Sequence, residues 1–340
     1  MRKFAALVVL AALPLLATVA IHAAITAPPE WAYAIAAPPP PVPPGTTPPP
    51  NPAATDTTLR TVPGSSKQYP RNRMQQADWF PEDHPAMPNI VASGRVGDPN
   101  ATQCSLCHYP NGKGRPENAS VAGLPVSYFL QQLEDFRHDL RKSGESRKAN
   151  TARMALIAKS LTPEEMKQAA EYFGSMKWTP WIRVVETATV PKMASRGGMW
   201  MPVEGAQKEP IGMRIVETPE NPERSEILRD PRSGFIAYAP VGSLKKGEAL
   251  VKTGGARTVA CGACHGPDLL GLGPVPGIAG RSPSYLARQM YDMQSGARKS
   301  EWGELMQPVV AKLTDEDLVN ISAYVASLMP LPASSSAARQ

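Results

Sequence analysis

The 340-residue sequence predicts a mainly α chain in which two similar helical units are joined by a long irregular segment with short strands. Three observations support this prediction. The second half of the chain repeats the first at a nearly fixed offset, and both copies carry helix-start signals. The chain also contains 38 prolines and 26 glycines, which predicts long stretches of turn and irregular backbone between small folded units.

The repeat is anchored by the four cysteines, which occur as the pairs Cys104/Cys107 and Cys261/Cys264. Cys104 aligns with Cys261 at an offset of 157 residues, and after a longer loop in the first half the offset falls to 152. The aligned residues include Tyr128 with Tyr285, Arg141–Ser143 with Arg298–Ser300, Met154 with Met306, Leu161 with Leu313, and Tyr172 with Tyr324. Cysteines confined to two matching places do not resemble a scattered disulfide framework.

Both copies carry the periodicity of amphipathic helices. Apolar residues spaced i, i+4, i+7 mark one helix face in each copy. These residues are Phe129, Leu133 and Phe136 in the first copy, and Leu286, Met290 and Met293 in the second. Farther along, Thr162 and Thr314 each stand before an acidic first turn, which predicts a capped helix start. Each half is therefore predicted to be a small all-α unit.

The segments outside the repeat have a different composition. Residues 38–50 are dominated by proline and favour polyproline II, whereas β-branched residues at 178–190 and 211–218 predict a few strands or a hairpin. The expected division is a leader over 1–34, a Pro-rich segment over 35–80, a first unit over 81–177, a linker over 178–240, a second unit over 241–330 and a disordered tail over 331–340.

The N-terminus is typical of a secretory signal. Arg2 and Lys3 precede an uncharged apolar run and then small residues, so export to the periplasm is expected, with cleavage after Ala34 favoured over earlier alanines. The alternative is an uncleaved anchor on the outer face of the cytoplasmic membrane, because residues 4–27 are long enough to span a bilayer. The formal net charge of +6, without a Lys/Arg-rich tract, gives no case for nucleic acid as a partner.

Both cysteine pairs belong to the pentapeptide Cys-X-X-Cys-His, which ends at His108 in the first copy and at His265 in the second. Two thiols on one helical turn can both add to the vinyl groups of a haem, while the next histidine binds the iron. A redox dithiol, a disulfide or a zinc site would have to explain why both motifs end in histidine inside matching repeats of an exported chain. The motifs therefore predict two covalently attached haem c groups.

The sixth iron ligand is expected to be methionine or histidine. His84 and His138 are the only other histidines beyond the leader, whereas Met154 and Met306 are an aligned pair at matching distances after the motifs. A single methionine is more often core filler. The shared register of Met154 and Met306 favours these two methionines as the sixth ligands.

The sequence resembles the class I cytochromes c, specifically the dihaem cytochrome c4 and related c553-type group. The matching stretches are residues 120–123, 128–132 and 161–165 in the first half, and 275–281, 285–289 and 313–317 in the second. The resemblance implies that Met154 and Met306 are axial ligands and that the Pro276 carbonyl accepts a hydrogen bond from the His265 ring. Ala119 stands at the equivalent position in the first half. The long middle segment departs from the family pattern.

Electron transfer is the expected function, since no set of acid, base and nucleophile clusters near the motifs. The expected partners are a redox protein donor and acceptor, such as a dehydrogenase, a membrane complex or a terminal oxidase. Two alternatives stay open. One is a cytochrome subunit of a membrane-associated dehydrogenase, and the other is a dihaem enzyme of the peroxidase or thiosulfate-oxidising type with one open haem.

Overall fold

The computed structural model describes residues 27–36 and 52–329. The apolar run of the predicted leader, the proline tract at 38–50 and the predicted tail over 331–340 lie outside the described residues. Within the described ranges, no helix has the length and apolar character needed to cross a membrane.

The segment before the first unit folds against the middle of the chain. Its elements are a 3-10 turn at Glu30–Ala32, α1 (Pro52–Thr55), β1 (Leu59–Arg60), β2 (Tyr69–Pro70), and 3-10 turns at Arg71–Gln76 and Pro81–Asp83. Val62, Met74, Trp79 and Phe80 are buried together with Leu228. The prolines concentrate before Pro52, and the aromatic side chains that follow supply enough apolar surface for a small core.

The first unit packs its helices around a core of its own. Its helices are α2 (Asn89–Ala92), α3 (Ser105–His108), α4 (Val126–Arg137), α5 (Ala149–Ser160) and α6 (Pro163–Gly174). Phe129 on α4 stacks on Phe173 of α6, with 6.0 Å between the ring centroids. The apolar face predicted for α4 is thus the face that enters this core.

The middle segment contains short strands and one π-helical turn at Glu223–Ile227. The strands are β3 (Ile182–Glu186), β4 (Thr189–Pro191), β5 (Met193–Arg196), β6 (Met199–Pro202), β7 (Lys208–Pro210), β8 (Val216–Pro219) and β9 (Phe235–Ala239). The main strands of the two β-branched stretches, β3 and β8, do not pair with each other, although the Ile211 amide donates to the Ala188 carbonyl at 3.0 Å where the stretches end. β9 lies between them, parallel to β3 and antiparallel to β8.

The second unit repeats the helical arrangement of the first. Its elements are α7 (Ser243–Thr253), α8 (Gly262–His265), β10 (Gly271–Leu272), β11 (Val275–Pro276), α9 (Pro283–Gln294), α10 (Glu301–Val310) and α11 (Asp315–Ser327). Val319 and Ala323 of α11 are buried against the sheet formed by β3, β9 and β8. The middle segment therefore packs directly on the second unit.

The predicted helix starts at the two threonines are confirmed. The Thr162 hydroxyl accepts the Glu165 amide at 3.2 Å, while the Glu165 carboxylate accepts the Thr162 amide at 2.8 Å. Thr314 and Asp317 form the same reciprocal pair at the start of α11. Each pair satisfies two helix-end donors that would otherwise lack partners.

Residues Trp31 to Ala34 are bound to three parts of the fold. The Ala32 carbonyl accepts a bond from Arg288 of α9 at 2.7 Å, and Ala32 and Tyr33 are buried against Ala287. The Trp31 carbonyl accepts the Trp200 indole N–H at 2.8 Å, and the Ala34 carbonyl accepts the Ser195 hydroxyl at 2.7 Å. Cleavage after Ala34 would remove these contacts from the mature protein.

We predict that the exported protein retains residues 30–35, because their buried carbonyls and side chains hold α9 to the β5–β6 hairpin. Mass spectrometry of the intact protein recovered from the periplasm or membrane should give a chain beginning at or before Glu30. A mature chain that begins at Ile35 would contradict this prediction and support cleavage after Ala34.

Candidate haem sites

Each Cys-X-X-Cys-His motif forms a single helical turn. In α3 the His108 amide donates to the Cys104 carbonyl at 3.0 Å, and in α8 the His265 amide donates to the Cys261 carbonyl at 3.0 Å. One turn of backbone therefore carries two thiols and an imidazole in both units. This is the spacing that double thioether attachment and proximal ligation require.

The residue after each histidine ends the turn with a positive φ. Tyr109 has φ of 61° and Gly266 has φ of 82°. The same pairing recurs at the far end of the repeat, where Asp139 and Gly296 have φ of 57° and 74°. Matching backbone at both ends supports the 157-residue register independently of side-chain identity.

The two histidines make the same hydrogen bond. His108 Nδ1 lies 2.8 Å from the Ala119 carbonyl oxygen, and His265 Nδ1 lies 2.8 Å from the Pro276 carbonyl oxygen. A carbonyl only accepts, so Nδ1 carries the proton and Nε2 presents its lone pair. Burial lowers the pKa of both imidazoles, which favours the neutral form that binds metal.

The candidate distal methionines occupy equivalent helix positions. Met154 is the sixth residue of α5 and Met306 is the sixth residue of α10. Met154 packs against the same apolar cluster as Cys104, and Met306 packs against the same cluster as Cys261. The structure therefore brings each methionine into the unit that carries its aligned cysteine.

The other two histidines are placed differently. His84 bonds through Nε2 to Asp78 at 3.0 Å and through Nδ1 to the Pro85 carbonyl at 2.8 Å. His138 lies on the surface, with its side chain 66% exposed and 3.5 Å from Glu134. Both ring nitrogens of His84 have protein partners, and His138 faces solvent.

The two units meet through a network that follows the repeat. Arg141 and Arg298 form an isolated antiparallel β-bridge. Beside it, the Lys142 amide donates to the Ala297 carbonyl and the Lys299 amide donates to the Leu140 carbonyl. The Arg141 guanidinium donates to Gln132, Tyr285 and Gln289, and the Arg298 guanidinium donates to Gln289, Tyr128 and Gln132. Both arginines are buried. The middle segment does not hold the units apart.

Further contacts tie the units together outside this network. Arg281 of the second unit donates to the Ser120 and Ala122 carbonyls of the first at 2.7 and 3.1 Å. Its guanidinium also lies 4.2 Å from the Trp178 ring, whose N–H donates to the Ala279 carbonyl at 3.0 Å. Sequence reasoning found Arg141, Arg298 and the tyrosines as aligned positions. Their shared register was the available signal, but nothing local showed that the two copies face each other.

Comparison with known proteins decides the family. Residues 100–177 match the family model described as Cytochrome c. Cytochrome c4 of Thiocapsa roseopersicina is 35% identical over 250 residues, which cover 70% of this chain and 96% of that protein. The chain belongs to the cytochrome c4 family.

Other relatives extend this similarity. Cytochrome c4 of Azotobacter vinelandii is 25% identical over 247 residues, covering 71% of this chain and 91% of that protein. The thiosulfate dehydrogenase electron acceptor of Thiomonas intermedia (strain K12) is 24% identical over 251 residues, covering 73% and 88%. The solved structure of reduced recombinant cytochrome c4 from Pseudomonas stutzeri covers 66% of this chain and 92% of its own, at 21% identity and a TM-score of 0.43.

Membership of the cytochrome c4 family confirms the predicted cofactor and general function. The chain has a cytochrome c fold with helices and some strands, carries two covalently attached haem c groups, and transfers single electrons between redox proteins. The donor set fits this cofactor, since each unit offers two thiols and an imidazole whose second nitrogen is already bonded. Arg298 also has a buried Nε without a hydrogen-bond partner in the described residues, which suits a carboxylate-bearing group.

We predict that Asp292, which joins the units, makes stability fall as pH rises. Its carboxylate accepts the Gly144 amide at 2.7 Å, and burial raises its pKa from 3.8 to about 6. The folded protein therefore binds more protons than the unfolded chain in this window, so the stabilisation is complete below pH 3.8 and is lost as pH rises through about 6. The change is on the order of 3 kcal/mol.

The test is chemical unfolding of the haem-loaded protein across this pH range. In Asp292→Asn the free energy of unfolding should fall less than in the native protein as the pH rises from 3.8 through about 6, because an amide does not ionise. The exposed Asp268→Asn is the control and should keep the native pH dependence. Equal pH dependence of the native protein and Asp292→Asn would show that the buried carboxylate does not titrate in this window.

Proposed function

We propose that each Cys-X-X-Cys-His loop attaches one haem, the first through Cys104 and Cys107 and the second through Cys261 and Cys264. The proximal ligands are His108 and His265. The observation that carries this proposal is the duplicated bond from each histidine Nδ1 to a backbone carbonyl, at 2.8 Å in both units. That bond orients Nε2 in the same way at both sites, and Ala119 supplies the carbonyl where the other site uses Pro276.

The proposed sixth ligands are Met154 and Met306. They occupy the same position of equivalent helices, and each contacts the apolar cluster that its own cysteine contacts. A bound haem supplies one-electron chemistry between ferric and ferrous iron. The protein's own contribution is to hold both ligands of each iron and to surround them with apolar side chains that exclude water.

Two methionine-closed irons make the protein an electron carrier in this proposal, and not an enzyme with an open haem. In the enzymatic alternative one haem is open or ligated by a histidine, and a ligating histidine would be His84 or His138. The bonds of His84 to Asp78 and Pro85, and the surface position of His138, favour the carrier.

The proposed partners are a redox protein donor and a redox protein acceptor. Two relatives are named thiosulfate dehydrogenase electron acceptors, which favours a dehydrogenase as the donor. We place both partners outside the cytoplasmic membrane, on the basis of the signal-like start of the sequence.

The proposed haem domains are residues 81–177 and 241–330, with residues 178–240 as the segment that joins them. Separate apolar clusters in the two ranges support this division, and a further cluster holds the joining strands. The helices of the two ranges make the haem domains mainly α in this proposal.

We predict two haems per chain. Pyridine haemochrome absorbance divided by protein concentration should give a ratio near two, and acid–acetone extraction should leave the colour on the polypeptide because thioethers survive it. The variant Cys261→Ala/Cys264→Ala, made in the full chain, should retain the first haem only. A ratio near one in the native protein would contradict the two-site proposal.

We predict that Met306→Ala opens only the second haem and Met154→Ala only the first. Each variant should lose part of the near-infrared sulfur-to-iron band, bind carbon monoxide when reduced, and have a lower potential at the opened haem, because the thioether favours ferrous iron. Direct packing of the units should also produce a smaller shift at the other haem.

Matched controls for these variants are Met290→Ala and Met166→Ala, which shorten methionines of the same two clusters. Both should keep the near-infrared band at full intensity. Ready binding of carbon monoxide by the native protein, or an unchanged spectrum of Met154→Ala, would favour the enzymatic alternative instead.

A further inference from the structure

The two Cys-X-X-Cys-His loops differ in how much of their surface is covered. In the second unit Cys264 is exposed, and the side chains of Leu270 and Leu272 are 61% and 59% exposed. In the first unit Cys107 is partly buried, and Tyr109 and Asn111 are buried. Two loops with the same backbone therefore lie in different surroundings.

The first loop is covered by residues 221–233 of the middle segment, which we name the cap segment. Arg229 Nη2 donates to the carbonyl of Leu106, between the two thiols, and its guanidinium lies 5.2 Å from the centroid of the Tyr109 ring. The Tyr109 hydroxyl donates to the Ser225 carbonyl at 3.3 Å. Asn111 Nδ2 donates to the Pro231 carbonyl at 3.3 Å, so contacts reach the loop from both ends of the cap segment.

The cap segment is itself anchored to the residues before the first unit. The Trp79 indole N–H donates to the Leu228 carbonyl at 2.8 Å in a buried contact. Arg232 pairs with Asp83 at 2.6 Å and lies 3.6 Å from the Phe80 ring centroid. These contacts flank Arg229 on both sides and fix its backbone.

Arg229 has φ of 54°, in the left-handed region that non-glycine residues seldom adopt. Such a conformation costs free energy and persists only where the surrounding structure determines it. Here the anchors at Leu228 and Arg232 hold it, and the result is that the guanidinium points at the first loop.

Within residues 27–36 and 52–329, the equivalent surface of the second unit has no such cover. At the 157-residue offset, Leu106 corresponds to Ala263 and Asn111 corresponds to Asp268, and both residues of the second unit are exposed. The internal repeat thus supplies its own comparison, in which the described part of the chain caps the first loop and leaves Ala263 and Asp268 of the second exposed.

We propose that the cap segment closes the attachment loop of the first haem to external redox partners, and that Arg229 is a positioning residue that raises the reduction potential of this haem. The proposal rests on the proposed attachment of a haem at Cys104 and Cys107. External exchange then takes place at the second loop. An electron from a reduced partner would enter at the haem held by Cys261 and Cys264. Its passage to the haem held by Cys104 and Cys107 would reduce that second acceptor and return the first one to the ferric state.

The expected effect on potential follows from charge. Ferric haem carries one more positive charge than ferrous haem, so a nearby cation in a poorly solvated place favours reduction. Lys113 and Arg115 lie on the same loop, and Arg115 pairs with Glu117 at 2.5 Å. Burial lowers the pKa of Arg229 and brings that of Lys113 to about 8, because desolvation disfavours the charged form of both side chains. An arginine side chain keeps its charge at neutral pH.

The test is spectroelectrochemical titration of the full-length haem-loaded protein in a Met306→His background, which moves the wave of the second haem downward and leaves the first resolved. Arg229→Gln should shift the first wave to lower potential. Arg229→Lys, which keeps the charge, should stay near the parent. Arg214→Gln is the control from the middle segment, since Arg214 pairs with Glu209 outside the cap segment, and it should move neither wave.

Hydrogen exchange of the native protein, followed by mass spectrometry, tests the cap without any variant. Backbone amides of residues 105–117 should exchange at least about tenfold more slowly than those of residues 262–274. Equal exchange rates in the two loops would show that the cap segment does not cover the first loop. This result is available even if Arg229→Gln does not incorporate haem. An unchanged first wave in Arg229→Gln with two haems attached overturns the effect on potential.

These results are separable from a failure of the proposed ligand set. A ratio near one haem per chain counts against the proposed attachment sites. Unchanged reduction potentials of both haems in Met306→His count against the proposed ligand. Neither result depends on what covers the first loop.

Discussion

The hydrogen bond from each proximal histidine to a backbone carbonyl is the constraint on which the rest of the structure depends. It requires the chain to leave the one-turn helix, reverse direction and return a carbonyl at residue 119 or 276 to within 2.8 Å of the ring. The positive φ of the residue directly after each histidine makes the reversal possible. The helices that follow then enclose the space beside the imidazole, and each brings a methionine into the same unit. The site is thus determined by short-range backbone geometry, which explains how it could be duplicated intact.

Duplication also explains how the units pack. Because both copies carry the same tyrosine, glutamine and arginine, their surfaces are complementary when related by a local two-fold axis. Each arginine then reaches across to the other copy's tyrosine and glutamine. The middle segment lies around this contact, with its sheet on the last helix and its cap segment on the first loop. It contacts both units without separating them.

The predictable part of this architecture is the part encoded locally. The repeat, the motif loops, the capped helices and the apolar face of α4 all follow from residue spacing. The β-branched stretches predicted strands but not their pairing, since a strand's partner depends on which edge lies beside it in the folded chain. Arg229 could not be identified because it meets Leu106 across 123 residues of chain. Residues 31–34 were missed for a related reason. Alanines and aromatic residues such as those at 31–34 occur in a leader and in a buried contact alike, and only their long-range partners distinguish the two.

The matching surfaces around Arg141 and Arg298 also affect whether the protein pairs with a second copy of itself. A face that recognises a near-copy of itself can pair with the other half of its own chain or with the corresponding half of a second molecule. Covalent connection settles this competition, because the joining segment is docked on both halves and gives each an effective concentration for the other far above that of free protein in solution. The same segment that covers one loop thereby keeps a duplicated, self-complementary protein closed on itself.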